Sequence, residues 1–297
     1  MIKDNIVFNI ILTAVAPIVW GSTYLVTTEF LPPNSPLLAS VLRALPAGIL
    51  LLLIGRQLPT GQWWWKACVL GILNIGAFFY FLFLAAYHLP GGVAALIMSV
   101  QPVIVLLLGI ILLGQSIQTT QTLACALGMF GVALIALQPT AELDFIGVTA
   151  GLAGALSMAT GLVLTKRWGR PKDVGVLTFT GWQLIFGGLV LIPPAFFSEG
   201  LPEAITLTNW LGFTYLCIVG ALIAYALWFR GLDRLSVLSV SFISLASPLS
   251  AAILGYVFLD QNLNSIQIFG AFAVILAVIL AQPQSKSLLP NFLQRNN

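Results

Sequence analysis

The chain has 297 residues, 59% of them hydrophobic and only 7% charged, with a formal net charge of +3. Soluble domains carry about 25% charged residues, so this composition and a mean hydropathy of +1.03 exclude a water-soluble fold with a polar surface. The expectation is an all-α integral membrane protein, because spanning helices are apolar runs of about 20 residues separated by short polar breaks.

In chain order, the apolar runs predict ten transmembrane helices, at 6–27, 37–55, 67–87, 91–113, 119–138, 146–165, 175–197, 208–229, 235–259 and 264–281. The first follows Lys3, and Ala14-Val15-Ala16 imitates a signal-peptide cleavage site. Pro17 would follow the cut, however, and the apolar run continues to Val26, so the segment reads as a retained first span. The second span holds Arg43. Trp63, Trp64 and Trp65 precede Lys66 where an aromatic belt is expected. Cys68, Cys125 and Cys217 all fall in apolar runs without metal-ligand spacing. The loops are short, and 282–297 is a polar tail.

Orientation follows from the basic residues. With the first segment starting in the cytoplasm, Lys3, Arg56, Lys66, Lys166, Arg167, Arg170, Lys172, Arg230, Arg234, Lys286 and Arg295 share the inner side. The outer loops then carry Glu29, Glu142, Asp144, Glu199, Glu203 and Asp260 and no base. The positive-inside rule therefore predicts that both ends are cytoplasmic.

Residues 99–115, SVQPVIVLLLGIILLGQ, return 146 positions later as LASPLSAAILGYVFLDQ at 245–261. The same spacing pairs Pro102 with Pro248, Gly109 with Gly255, Gln115 with Gln261, Phe83 with Phe229, Leu89 with Leu235 and Gln121 with Gln267. The front parts align less well, Gly21 falling opposite Gly161 at a spacing of 140. Five spans per copy force the second copy into the membrane from the opposite side. The expectation is two inverted five-helix repeats, 6–138 and 146–281, a construction found in secondary transporters with a substrate site near the midplane. Pro102 and Pro248 lie near that depth and free the carbonyls of Met98 and Ser244; each is a static kink or a hinge.

The sequence resembles the drug/metabolite transporter superfamily, specifically its EamA-type ten-helix members. The likeness rests on WGSTY at 20–24, Arg43, YALWFRGL at 225–232, the twin proline-to-glutamine segments and GMFGV at 128–132. TEFLPP (28–33), RALPAG (43–48) and LPGGVAA (89–95) are similar to the branch containing bacterial blue-pigment (indigoidine) exporters. The resemblance implies a basket of ten helices, a central cavity open to one side at a time, and export of small metabolites across the bacterial inner membrane. Where relatives often carry glutamate at the ends of spans four and nine, this chain has Gln115 and Gln261.

Candidate cavity residues follow from chemistry and depth. Arg43 is the sharpest, because a charge within a span costs about 2.5–3.5 kcal/mol on insertion scales. It either snorkels or holds structure, or it faces the cavity and attracts an anionic or carbonyl group. Asn74, Gln101, Gln183 and Ser247 are amides and a hydroxyl that must bond within the bundle or line the cavity. Trp20, Tyr24, Tyr80, Trp182, Tyr225 and Trp228 are rings that suit planar substrates or pack as core. His88, the sole histidine, sits at an outer boundary. No cofactor, metal or nucleic acid is expected; the partners are a small-molecule substrate and the lipid bilayer, and the assembly is a monomer or homodimer.

An aromatic or amphipathic metabolite exporter working by alternating access is the leading expectation. A membrane-embedded enzyme lacks the nucleophile–base pair or metal ligands it needs. A passive channel or facilitator would usually show charged rings or a filter. No Asp or Glu lies deep in a span, so the coupling is open.

Overall fold

The computed structural model describes residues 6–116, 118–136, 144–200, 202, 204–258 and 265–282. Gln261, Asp260, Glu142, Glu203, Lys3 and all of the tail beyond Gln282 lie outside the described residues. Ten helices follow one another: α1 Ile6–Phe30, α2 Pro36–Gly55, α3 Trp63–His88, α4 Gly91–Leu113, α5 Thr119–Ala136, α6 Phe145–Trp168, α7 Val176–Glu199, α8 Leu207–Arg234, α9 Val237–Phe258 and α10 Ser265–Ala281. The described residues contain no strand. Large apolar side chains such as Ile54, Ile111, Phe197 and Phe272 point outward, which suits a surface solvated by lipid.

Two helices extend past their apolar runs. α3 begins at Trp63 rather than 67 because the Trp63 ring packs edge-on against Phe179, 5.7 Å away. α8 continues to Arg234 because its last turns are amphipathic, burying Trp228, Phe229 and Leu232 while Asp233 pairs with Arg170 at 2.8 Å. Hydropathy marks the lipid-facing length, not the helix end.

The principal helix pairs recur when each helix is exchanged for the one five places on. α2 packs on α7 and α5 on α10; α3 and α4 pack on α6 as α8 and α9 pack on α1. Glycines permit the two self-paired crossings. A methyl group on Gly48 would stand 2.7 Å from Ile185 N, and one on Gly188 2.9 Å from Leu45 Cβ. Likewise Gly131 and Gly270 approach each other's carbonyls, at 2.7 and 2.6 Å from the absent Cβ positions.

The two spacings seen in the sequence have a structural cause. α2 and α7 start 140 residues apart, at Pro36 and Val176, whereas α4 and α9 start 146 apart, at Gly91 and Val237. α2 stops at Gly55, but α7 runs past the corresponding Ala195 through a wide π turn, Ala195–Glu199. That extension brings Glu199 onto the bare start of α2, where its carboxylate accepts hydrogen bonds from Leu37 N (2.7 Å) and Leu38 N (2.8 Å). Ser35, at the N-cap itself, makes no side-chain cap. A negative group satisfying two orphan N–H donors is the electrostatically favoured arrangement at a helix start.

Four interior irregularities also repeat. π turns interrupt α3 at Ile72–Gly76 and α8 at Ile218–Ile223, their first residues 146 apart. α4 breaks into Gly91–Met98 and Gln101–Leu113, and α9 into Val237–Ile243 and Ala246–Phe258. This corrects the expectation of a proline bending a continuous helix. Pro102 and Pro248 sit in the first turn of a new half-helix, where a missing N–H leaves no gap. Ser244 O is not left open; it accepts Ser247 N at 2.9 Å. The far end of the motif is also explained. Gly114 ends α4 in the left-handed conformation (φ 63°), and Gln115 N–H bonds Gly109 O at 3.2 Å. The Gln115 amide folds back over Gly109, where a methyl group would meet its Oε1 at 2.9 Å.

Glu199→Ala removes two charge-assisted bonds and is expected to cost about 1–3 kcal/mol, read as a lower melting temperature in detergent. At the start of α6, Asp144 Oδ1 caps Ile146 N (2.7 Å) and Gly147 N (3.0 Å), and Oδ2 lies 3.4 Å from His88 Nδ1. The bond from Gly147, with those from His88 and Ile146, holds the Asp144 carboxyl below its usual range. A depressed folded value means the cap is intact above the ordinary aspartate value of about 3.9 and is lost as pH falls through the folded one. The melting difference between wild type and Asp144→Ala should therefore be present at pH 6 and shrink as pH is taken below the ordinary aspartate range.

Candidate substrate cavity

Both broken helices point their breaks at one internal cavity of about 60 Å³. α4 supplies Ala95, Met98, Ser99 and Gln101, and α9 supplies Ser244, Leu245, Ser247 and Pro248. Trp20 and Tyr24 of α1, Arg43 of α2, Phe78 and Leu82 of α3 and Met158 of α6 complete the wall. Tyr24 is shared with a second cavity of about 290 Å³, bordered by Thr28, Glu29, Pro90 and Gly255 at the end of the bundle where α1 finishes and α4 begins. The sequence-predicted Trp20, Tyr24, Arg43, Gln101, Ser247 and Pro248 thus meet in one place.

Arg43 is 1% exposed, which rules out the snorkelling reading. Its Nη2 donates to Gly220 O at 3.1 Å and its Nη1 to Thr23 Oγ1 at 3.4 Å, while Nε has no partner. The guanidinium carbon lies 4.4 Å from the Phe79 ring centre and 5.7 Å from that of Phe83. Cation–π attraction of this kind is worth about 2 kcal/mol when desolvated. Among the described residues no Asp or Glu pairs with it. The π turn of α8 makes the site possible, because a wide turn presents carbonyls that a regular α-helix would use internally. Gly220 O accepts both Arg43 and Trp20 Nε1, the latter at 2.9 Å.

Other candidates are placed elsewhere. Tyr225 and Trp228 stack behind Trp20, with ring centres 4.8 and 5.0 Å from it, and Tyr225 also packs on Phe79 and Phe229. Both are fully buried and off the cavity wall. Trp182 belongs to the cluster of Phe179, Ala67 and Leu70, its Nε1 bonded to Gln57 O at 2.7 Å. Tyr80 packs against Phe81, and Pro102 is buried but not in the lining. Asn74 and Gln183 are fully buried together: Asn74 Nδ2 donates to Gln183 Oε1 (2.8 Å) and Thr165 Oγ1 (3.0 Å). Asn74 stands 146 residues before Gly220, and Arg43 stands 140 before Gln183. The polar knot at Asn74 is therefore the counterpart, in the other half, of the Arg43–Gly220 contact.

Ser99, Ser244 and Gly220 were missed in the sequence. The serines carry a signal, since each stands three or four residues before a repeat proline. Gly220 carries none beyond its match to Asn74.

Ten spans in inverted halves around a cavity near mid-depth define a helical membrane transporter, and the comparisons agree. A model described as the EamA-like transporter family matches twice, at residues 7–137 and 145–281, and the chain belongs to this family. Protein PecM of Dickeya dadantii (strain 3937) is 50% identical over 267 residues, covering 90% of each chain. The WAT1-related protein At3g02690, chloroplastic, of Arabidopsis thaliana is 26% identical, covering 88% of this chain and 66% of that one. The uncharacterized inner membrane transporter YedA of Escherichia coli (strain K12) is 26% identical, covering 89% and 87%. A solved crystal structure superposes with a TM-score of 0.74 at 19% identity, covering 92% of this chain and 96% of that chain, a likeness of fold.

Trp20→Phe keeps the ring packing and deletes one buried donor, while Gly220 O retains Arg43. The expected loss is about 1 kcal/mol, read as a modestly lower melting temperature with an unchanged elution profile in detergent.

Proposed function

We propose that this chain exports small aromatic or amphipathic metabolites across the bacterial inner membrane by alternating access, its halves 6–138 and 146–281 rocking about the central cavity. The observation that carries this reading is the meeting of both helix breaks, one from each half, at a single internal cavity. With both termini cytoplasmic, as the basic loops favour, the neighbouring cavity at Glu29 and Pro90 is the outer vestibule. The stack of Trp20, Tyr225, Trp228 and Phe229 then closes the inner side. Supporting that closure, Lys166 Nζ at the inner end of α6 donates to Leu232 O and Leu235 O, both at 2.8 Å, tying α6 to the end of α8. The conformation is read as outward-facing. Trp20, Phe78 and Tyr24 give the cavity aromatic surfaces for a planar substrate.

The test is flux from proteoliposomes for a panel of indigoidine-like pigments, aromatic amino acids and cationic dyes; no flux for any member would sink the exporter reading. Because each proline begins a half-helix, replacing both with alanine lets α4 and α9 close into continuous helices. Pro102→Ala and Pro248→Ala are expected to slow transport at least severalfold with folding preserved. Normal transport by both variants would leave the breaks as static features.

A further inference from the structure

Two features around the cavity share one sign. Arg43 brings a full positive charge, since a guanidinium stays protonated in proteins. The polar side-chain atoms of the wall that are buried without a partner are donors, Arg43 Nε and Gln101 Nε2, on residues 1% and 7% exposed. Among the described residues the lining holds no Asp or Glu; the nearest acid of the pathway, Glu29, borders the outer vestibule instead. An uncompensated buried cation is costly, so a site built this way awaits a negative group.

We propose that the cavity takes an aromatic organic anion, a carboxylate whose oxygens reach Arg43 and Gln101, and that it leaves by uniport drawn by the membrane potential. The proposal rests on the exporter reading and names its substrate class and driving force. It also accounts for the missing coupling acid. Proton exchange normally uses a carboxyl or imidazole that alternates between substrate and proton, and the cavity lining offers neither among the described residues. An anion needs no such group. With the cytoplasm negative, one negative charge moves outward in each cycle while Arg43 stays on α2. The potential then sustains about a tenfold concentration ratio for each 60 mV. Glu29, at the outer mouth, repels an anion that would re-enter.

The test uses a matched pair, N-acetylphenylalanine and its neutral amide, in proteoliposomes holding the full chain, with the potential set by potassium and valinomycin. The acid is expected to accumulate about tenfold on the positive side at 60 mV, with equal pH on both sides, and to be indifferent to a pH gradient at zero potential. The amide should bind at least tenfold more weakly, as read by Trp20-sensitive fluorescence in detergent. Arg43→Gln should abolish acid accumulation, and Arg43→Lys should restore part of it. Equal handling of acid and amide, or accumulation that follows the pH gradient, overturns the proposal using wild-type protein alone, whatever the variants do. If neither compound moves while a member of the wider panel does, the anion assignment falls and the exporter reading stands. Silence across the whole panel overturns both.

Discussion

Hydrocarbon offers a backbone no hydrogen-bonding partner, so each departure from a regular helix must be repaired from within the protein. The irregular points of this bundle are the places where that repair is visible. The π turn of α8 gives Gly220 O to Arg43 and Trp20, and that of α3 gives Leu73 O to Ser157 Oγ at 2.8 Å. At the α9 break, Ser247 N returns to Ser244 O. The start of α2, which no local residue caps, is met by Glu199 from α7. Four repairs of three kinds obey one rule, and two of them adjoin the cavity wall.

The ten spans, the repeat and the place of the prolines were legible because each leaves a local mark: an apolar run of bilayer length, a shared proline, a loop charge. The position of Arg43 within a span was equally plain, but its burial was not, since a residue near a helix end can face lipid or core with the same neighbours. Tyr225 and Trp228 show the same limit from the other side. Their spacing on α8 puts them on one face, yet which helix covers that face is a matter of tertiary packing, and Trp20 covers it. The π turns hold Gly76 and Gly220, but these do not occupy corresponding positions and so gave no repeated signature. Their only trace was the alignment of Asn74 with Gly220.

The fall from a spacing of 146 to one of 140 looked like decay of the repeat. It is instead an insertion at a definite place, the Ala195–Glu199 turn and the connection after it, and it carries a contact between the halves. Similarly, Arg43 and Gln183 occupy corresponding positions on the two self-paired helices, each reaching a π turn of the facing half. One is charged and forms part of a cavity wall; the other is neutral and locked into a dry amide cluster.

Two identical inverted halves would make the two end states of an alternating-access cycle one structure viewed from opposite sides, and such states are degenerate. Neither would be the resting state, and no direction would be favoured by the protein itself. In the proposed cycle, the six-residue insertion with its Glu199 contact, and the exchange of arginine for glutamine, would be the terms that lift this degeneracy. Each 1.4 kcal/mol of separation between two such states skews the populations about tenfold. On that proposal, broken symmetry would give the molecule a preferred way to face.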